Sequence, residues 1–402
     1  MVYVWVMRVI STTVAVASVL LSAAVLAACG ATTVRPGEAR GKSGDDLDSR
    51  YEAVERLTYP RKSAIGVASH QGSAAVSDPA TGRSFAITVD GLTEESGSYI
   101  RRFSVHAPAR DLLGLARKVA TYLTVLWGLT DVRLGRLNSR LRAGAVDVYL
   151  CRDGEGGAQS RKSICVFEVA SPRSELEWAR TLAHELGHFL LPGPSGFAEP
   201  ESWSNGLLGE RLFLGWLRDE LAATPDEVSA VPFVNANEVR DYCQKQTDAL
   251  VARVCARGPD MALLSGTGRR SMDEATALLL YVARVHRPAA LQELLMYLPV
   301  RTGREPTALD FASAYELWCA RTGARTIACV AGAQCIYVPA GHYEVSIQAG
   351  RADRIAAEGL TVRKGAGSGW RVAAPRNGWY RLTVSEGGGP PAALPMMAWR
   401  RL

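Results

Sequence analysis

Thr181-Leu-Ala-His184-Glu185-Leu-Gly-His188-Phe189 is the stretch on which the reading of this chain turns. Upstream, Ser174 followed three residues later by Glu177 is a capping-box pattern, which opens a helix by satisfying its first orphan N–H groups. Leu176, Ala179, Leu182, Ala183, Leu186 and Leu190 then recur at helical spacing, and Pro192 stops the run. On that helix His184 and His188 project from one face, one turn apart, where two imidazoles can ligate a single Zn²⁺. Glu185 lies about 100° further round the helix axis, so it borders the metal without ligating it. That is the place of a general base acting on a metal-activated water. With six histidines in 402 residues, a chance H-E-x-x-H on a helix is a rare event. One Zn²⁺ is therefore the expected cofactor.

This motif resembles that of the zincin metallopeptidases. The order of elements is similar too, with strands and a long helix before the motif and helices after it, over residues 80 to 320. The resemblance implies an α+β fold: a mixed sheet, an active-site helix and a helical C-terminal subdomain. Metzincins continue H-x-x-G-x-x-H, whereas Leu191 and Pro194 hold those glycine and histidine places here. The thermolysin-like gluzincin branch instead takes its third ligand from a glutamate on the next helix. Glu199, Glu201 and Glu210 are the candidates, and a helix is expected from about 200 to 222 with Pro200 at its first position.

In that branch the ligand glutamate is followed four residues later by Asp or Asn, which fixes the tautomer of a ligand histidine. Glu201-Ser-Trp-Ser-Asn205 has this spacing, which puts Glu201 ahead of Glu210 and Glu199 and gives Asn205 the orienting role. Only 12 residues separate His188 from Glu201, fewer than in thermolysin-like chains. By the same resemblance, the strand before the active helix, Ile164 to Val169, is expected to border the cleft and pair with substrate backbone. Tyr242, Tyr281, His286 and Tyr297 qualify by type as an oxyanion donor, though an ordinary core role suits each of them. His70, His106 and His342 have no partner motif nearby.

The N-terminal segment reads as an address. Arg8 precedes twenty uncharged, mostly apolar residues, Val9 to Ala28. The run ends Leu26-Ala-Ala-Cys29-Gly30, which resembles the bacterial lipobox and implies cleavage before Cys29 and lipidation of its thiol. An uncleaved membrane anchor is the other reading of the same run. Residues 29–60 read as a polar tether, 61–325 as the metallopeptidase-like domain and 326–402 as a small all-β, sandwich-like domain. In the last, Tyr343–Ile347, Leu360–Arg363 and Trp379–Val384 alternate between Gly-rich turns. Eight cysteines suit an exported chain, and with Cys29 given to lipid seven remain for disulfides, so at least one stays unpaired or pairs between chains. Cys151–Cys165, Cys243–Cys255 and one pair among Cys319, Cys329 and Cys335 are the expected bridges.

The composition is that of a globular chain, 48% hydrophobic and 21% charged. Its net charge of +6 is scattered and gives no reason to expect nucleic acid. The expectation is thus a lipid-anchored, exported zinc metallopeptidase of the bacterial envelope that acts on protein or peptide substrates. The alternative is a surface or envelope binding lipoprotein whose metal site is vestigial or purely structural.

Overall fold

Seven strands make the first sheet of the computed structural model: β1 (Val54–Tyr59), β2 (Ser63–His70), β5 (Ile87–Glu95), β6 (Ser98–Ala107), β7 (Val146–Leu150), β8 (Gly157–Ser160) and β9 (Ser163–Val166). A two-residue pair, β3 (Val76–Ser77) and β4 (Ser84–Phe85), stands beside them. The described residues run from 54 to 402, apart from 60–62, 71–75, 78–81, 96–97, 135–144, 155–156, 161–162, 226–229, 300–303, 331, 366–368 and 387–393. The expected signal sequence, Cys29 and most of the expected tether lie outside the described residues.

The sheet order is β1-β2-β5-β6-β7-β9-β8. Neighbours are antiparallel except β6–β7 and β7–β9, which are parallel. Parallel neighbours need a crossover, and the one between β6 and β7 contains helix α1 (Leu113–Leu134). This helix is apolar and long enough to cross a membrane, yet it is mostly buried inside the protein. It packs on β5 and β6, where Phe103 meets Trp127 edge to face at 5.8 Å. Gly91 allows this contact, because a Cβ there would collide with the Thr124 hydroxyl.

Helix α2 (Glu175–Leu190) carries the H-E-x-x-H residues and opens with the expected capping box on Ser174 and Glu177. Tyr122 of α1 donates to the Ala179 carbonyl at 3.1 Å, which ties the two helices together. Helix α3 (Asn205–Ala223) crosses α2 at two glycines, where a Cβ on Gly187 would lie 2.8 Å from Gly209 Cα. The helix begins at Asn205 rather than near 200. Residues 195–203 fold back on themselves instead, with Ser195 bridged to Trp203 and Gly196 N–H donating to the Ser202 carbonyl at 3.0 Å. Those internal bonds satisfy the backbone without a helical turn, so Pro200 and Glu201 lie in a loop.

Helix α4 (Ala236–Tyr242), a π-helical turn (Cys243–Asp248) and helix α5 (Ala249–Arg257) form one continuous rod. Short helix α6 (Met261–Leu264), then α7 (Arg269–Val285), α8 (Ala290–Glu293) and α9 (Ala308–Arg321) complete the helical part. The remaining strands are β10 (Ala324–Ala328), β11 (Ala333–Val338), β12 (Gly341–Ala349), β13 (Arg354–Ala357), β14 (Thr361–Lys364), β15 (Trp370–Ala374), β16 (Gly378–Ser385) and β17 (Met396–Arg401). They form two antiparallel sheets, β10-β17-β12-β15-β14 and β11-β16-β13. The described residues form one compact unit, and a single apolar core runs from the first sheet through the helices into the last two. Tyr281 of α7 donates to the Cys335 carbonyl at 2.8 Å across this junction. The fold is α+β.

The expected disulfides are not formed, because all seven cysteines after Cys29 are buried thiols. Cys243 and Cys255 sit on the continuous rod, which holds their backbones roughly 18 Å apart at 1.5 Å per residue, whereas a bridge needs less than about 7 Å. Cys151 and Cys165 pack with Phe85 and Tyr149 in a separate small cluster. Burial pushes the thiols of Cys243, Cys255 and Cys329 up to about 12.

Candidate metal centre

His184 and His188 lie on the face of α2 turned toward the start of α3, with ring centroids 5.0 Å apart. The folded-back loop brings Glu201 between them. Its Oε2 stands 3.1 Å from His184 Nε2 and 3.2 Å from His188 Nε2. These three residues each offer one ligand atom, all within 4.8 Å of one another, and together they can hold a metal ion. Glu201 is thus the glutamate that joins the two histidines. Because it precedes the helix rather than riding on it, the short spacing from His188 is accommodated. Glu199 is exposed and lies outside the group.

The opposite edges of both rings are held. His188 Nδ1–H donates to Asn205 Oδ1 at 2.7 Å, and the Asn205 amide donates back to the His188 carbonyl at 3.3 Å. That bond places the proton on Nδ1 and leaves the Nε2 lone pair for a metal. Asn205 thus meets His188 through both its side-chain oxygen and its side-chain nitrogen. For His184 the partner is Glu210, whose Oε2 faces Nδ1 at 3.7 Å. Glu210 is no ligand: its Oε1 accepts from Arg180 Nε and from the Tyr242 hydroxyl, both at 2.6 Å. Tyr242, considered above as an oxyanion donor, instead anchors this carboxylate.

Two further observations fit a bound cation. Glu201 Oε1 is buried without a hydrogen-bond partner among the described residues, although such an atom is costly to leave unsatisfied. A Cβ on Gly206 would stand 2.5 Å from His184 Nε2 and 2.6 Å from His188 Nε2, so this glycine keeps open the space on which the ligand atoms converge. Sequence reading missed Gly206 because nothing in one chain separates a site glycine in a helix from any other.

The electrostatics favour positive charge at the same point. Burial by itself disfavours charge on Glu201, but the two histidines beside it outweigh burial and lower its pKa to about 2. Burial likewise opposes protonation of His184, yet hydrogen bonds to Glu201 and Glu210 and the nearby carboxylate charges push it up to about 10. Glu210 is pulled down to about 2 against its own burial by His184, Arg180 and Tyr242. Glu185 moves the other way: burial raises it, against the pull of the two histidines. A carboxylate raised in this way suits proton transfer.

Glu185 lies beside His184 on the wall of a cavity of about 350 Å³. Its neighbour there is Gly157 of β8, where a Cβ would collide with Glu185 Oε1. The strand that borders this cavity is therefore Gly157–Ser160, the sheet edge, and not Ile164–Val169. Residues 163–166 form β9, which is paired on both sides, with β7 and β8. The remaining candidates by type lie elsewhere. Tyr281 and His286 are core residues, Tyr297 packs against the core and His342 is exposed. His106 bonds Thr88 and Asp147 on the sheet, and the side chain of His70 lies outside the described residues. No protein-family model matches this sequence, and a search of characterised proteins finds no significant relative.

Proposed function

We propose that this chain is a zinc metallopeptidase of gluzincin type. The observation that carries the reading is one carboxylate oxygen, Glu201 Oε2, within 3.2 Å of both H-E-x-x-H imidazoles, while Glu185 borders the adjoining cavity. Two imidazole nitrogens and a carboxylate suit Zn²⁺, and a three-residue protein set is the catalytic pattern, since structural zinc sites close the fourth position with protein. Zinc, when bound, supplies Lewis-acid polarisation of the scissile carbonyl and acidifies a water.

The protein's own residues do the rest. Asn205 and Glu210 orient the imidazoles, and the cavity between α2 and the β8 edge receives the peptide. Glu185 accepts the proton of the attacking water and passes it to the leaving amine. The lipobox-like Leu26–Gly30 segment supports export and anchoring through Cys29, so the substrate is placed outside the cytoplasm.

Purified full-length protein is expected to hold one zinc per chain by elemental analysis and to cleave unstructured peptides. Glu185→Gln should keep that zinc and lose turnover by a factor of about 10² to 10⁴, the usual contribution of general acid–base catalysis. Undiminished hydrolysis by Glu185→Gln would remove the assigned role. Well-folded protein that takes up no zinc would leave the rival reading, an envelope binding lipoprotein with a relic motif.

A further inference from the structure

The cavity beside Glu185 contains an unusual distribution of charge. Arg173, Arg180, Glu177 and Glu210 all line it, together with His184 and Glu185. Glu177 is committed to the helix cap, where its Oε2 accepts from Ser174 N and Oγ at 2.8 and 2.9 Å. Glu210 is committed to Arg180, Tyr242 and His184. Arg180 thereby has its carboxylate.

Arg173 has none. Its Nη2 donates to the neutral Phe167 carbonyl at 2.6 Å, and it forms no ion pair among the described residues. Its Nη1 is buried and has no hydrogen-bond partner among the described residues. The guanidinium carbon stands 5.0 Å from the centroid of the Trp178 ring, and that ring is itself stacked on Phe233 at 5.6 Å. A planar cation held on a rigid aromatic platform loses little entropy on binding, and its fork geometry matches a carboxylate.

We infer that this cavity recognises a carboxylate on the peptide substrate through Arg173. The inference rests on the peptidase reading for its substrate class. The carboxylate has two sources, an acidic side chain next to the scissile bond or the C-terminus of a short peptide. A charge-assisted hydrogen bond of this kind corresponds to a preference of about tenfold or more.

The test uses zinc-loaded full-length protein and matched fluorogenic peptides. One pair carries Glu or Gln in turn at each position flanking the cleaved bond, and the other ends in a free acid or an amide. The expected result is at least about tenfold higher kcat/KM for one acidic member, falling toward unity in Arg173→Gln and partly retained in Arg173→Lys. Preference within the first pair assigns the side chain, and within the second the C-terminus. Equal cleavage of every member by the parent would overturn the inference and leave the peptidase reading standing.

Binding of the same peptides to Glu185→Gln protein, followed by calorimetry, separates the two failures. Acid-selective binding that Arg173→Gln abolishes supports the inference, even where the parent hydrolyses nothing and the peptidase reading falls. Acid and amide peptides bound equally by Glu185→Gln protein would count against Arg173 whatever the turnover. Near-UV circular dichroism and zinc content of Arg173→Gln must match the parent, and the parent's own preference decides the matter where they do not.

Discussion

At the residue scale, the candidate metal centre separates atoms that could ligate an ion from atoms that hold those side chains still. Glu201 touches both imidazoles, whereas Glu210 reaches only the far side of His184. Glu201→Ala should therefore abolish stoichiometric zinc binding. Glu210→Gln should leave the stoichiometry intact and weaken affinity by about 10- to 100-fold, as loss of an outer-shell partner does. Competition with a chromophoric chelator measures both, and the reverse order of effects would exchange the two roles. Gly206→Ala is the sharper substitution. Its methyl group would lie 2.5 to 2.6 Å from both Nε2 atoms. The ring ends can swing aside at small cost to the fold, so the expected phenotype is a folded chain with at least about a tenfold loss in zinc affinity. Wild-type affinity in Gly206→Ala would show that the metal does not bind between the Nε2 atoms.

At the scale of elements, α2 works because its first and last turns are fixed independently. Its N-terminus is closed by Ser174 and Glu177, and its last turn is pressed against α3 where Gly187 meets Gly209. Ser174→Ala removes one partner of the capping box and should lower stability by about 1 kcal/mol in urea titration, with zinc stoichiometry unchanged. A change in stoichiometry would mean that the cap also positions the histidines. The start of α2 was legible in sequence because capping and periodicity are local, with partners within four residues. The start of α3 was not. Residues 195–203 exchange helical bonds for bonds across the loop and to more distant backbone, including Ala198 N–H to the Thr267 carbonyl at 2.8 Å. No local signal announces a partner that far along the chain.

At the scale of the whole molecule, the helical part and the C-terminal sheets meet around His286. It is buried among Tyr281, Tyr315 and Trp318. Its Nδ1–H donates to the Thr326 carbonyl at 3.1 Å, and the Tyr315 hydroxyl donates to its Nε2 at 2.9 Å. Burial lowers its pKa to about 3, and the Arg325 charge adds to the effect. The unfolded chain would bind a proton here near pH 6.5 and the folded chain only near 3. Stability therefore falls as the pH drops through that window. Between pH 7 and pH 5 this one group should cost about 2 kcal/mol. Urea titrations at the two pH values should show that extra drop in the parent and not in His286→Gln. An identical pH dependence in the two proteins would argue against a buried neutral imidazole.

The thiols belong to the same scale. Cysteine count and an N-terminus resembling an export signal made bridges a reasonable expectation, but the rod of α4, the π turn and α5 separates Cys243 from Cys255. Pairing depends on distances in space that composition does not carry.

What the sequence by itself determined is the H-E-x-x-H helix, its cap, the facing histidines and the neighbouring Glu185. All of these follow from spacings of three or four residues, and helical geometry converts such spacings directly into faces. Glu201 comes ahead of Glu210 and Glu199 only through a resemblance, because the loop that carries it to the histidines has no local signal. Only the tertiary structure decided that Glu210 backs His184 and that Gly206 leaves room for the ligand atoms to converge. It likewise decided that β8 is the edge strand beside Glu185 and that Arg173 enters the cavity without a carboxylate of its own. Each of these depends on where the α2–α3 crossing and the sheet edge come to rest. That placement is fixed by packing among residues far apart in the chain, which no local pattern records.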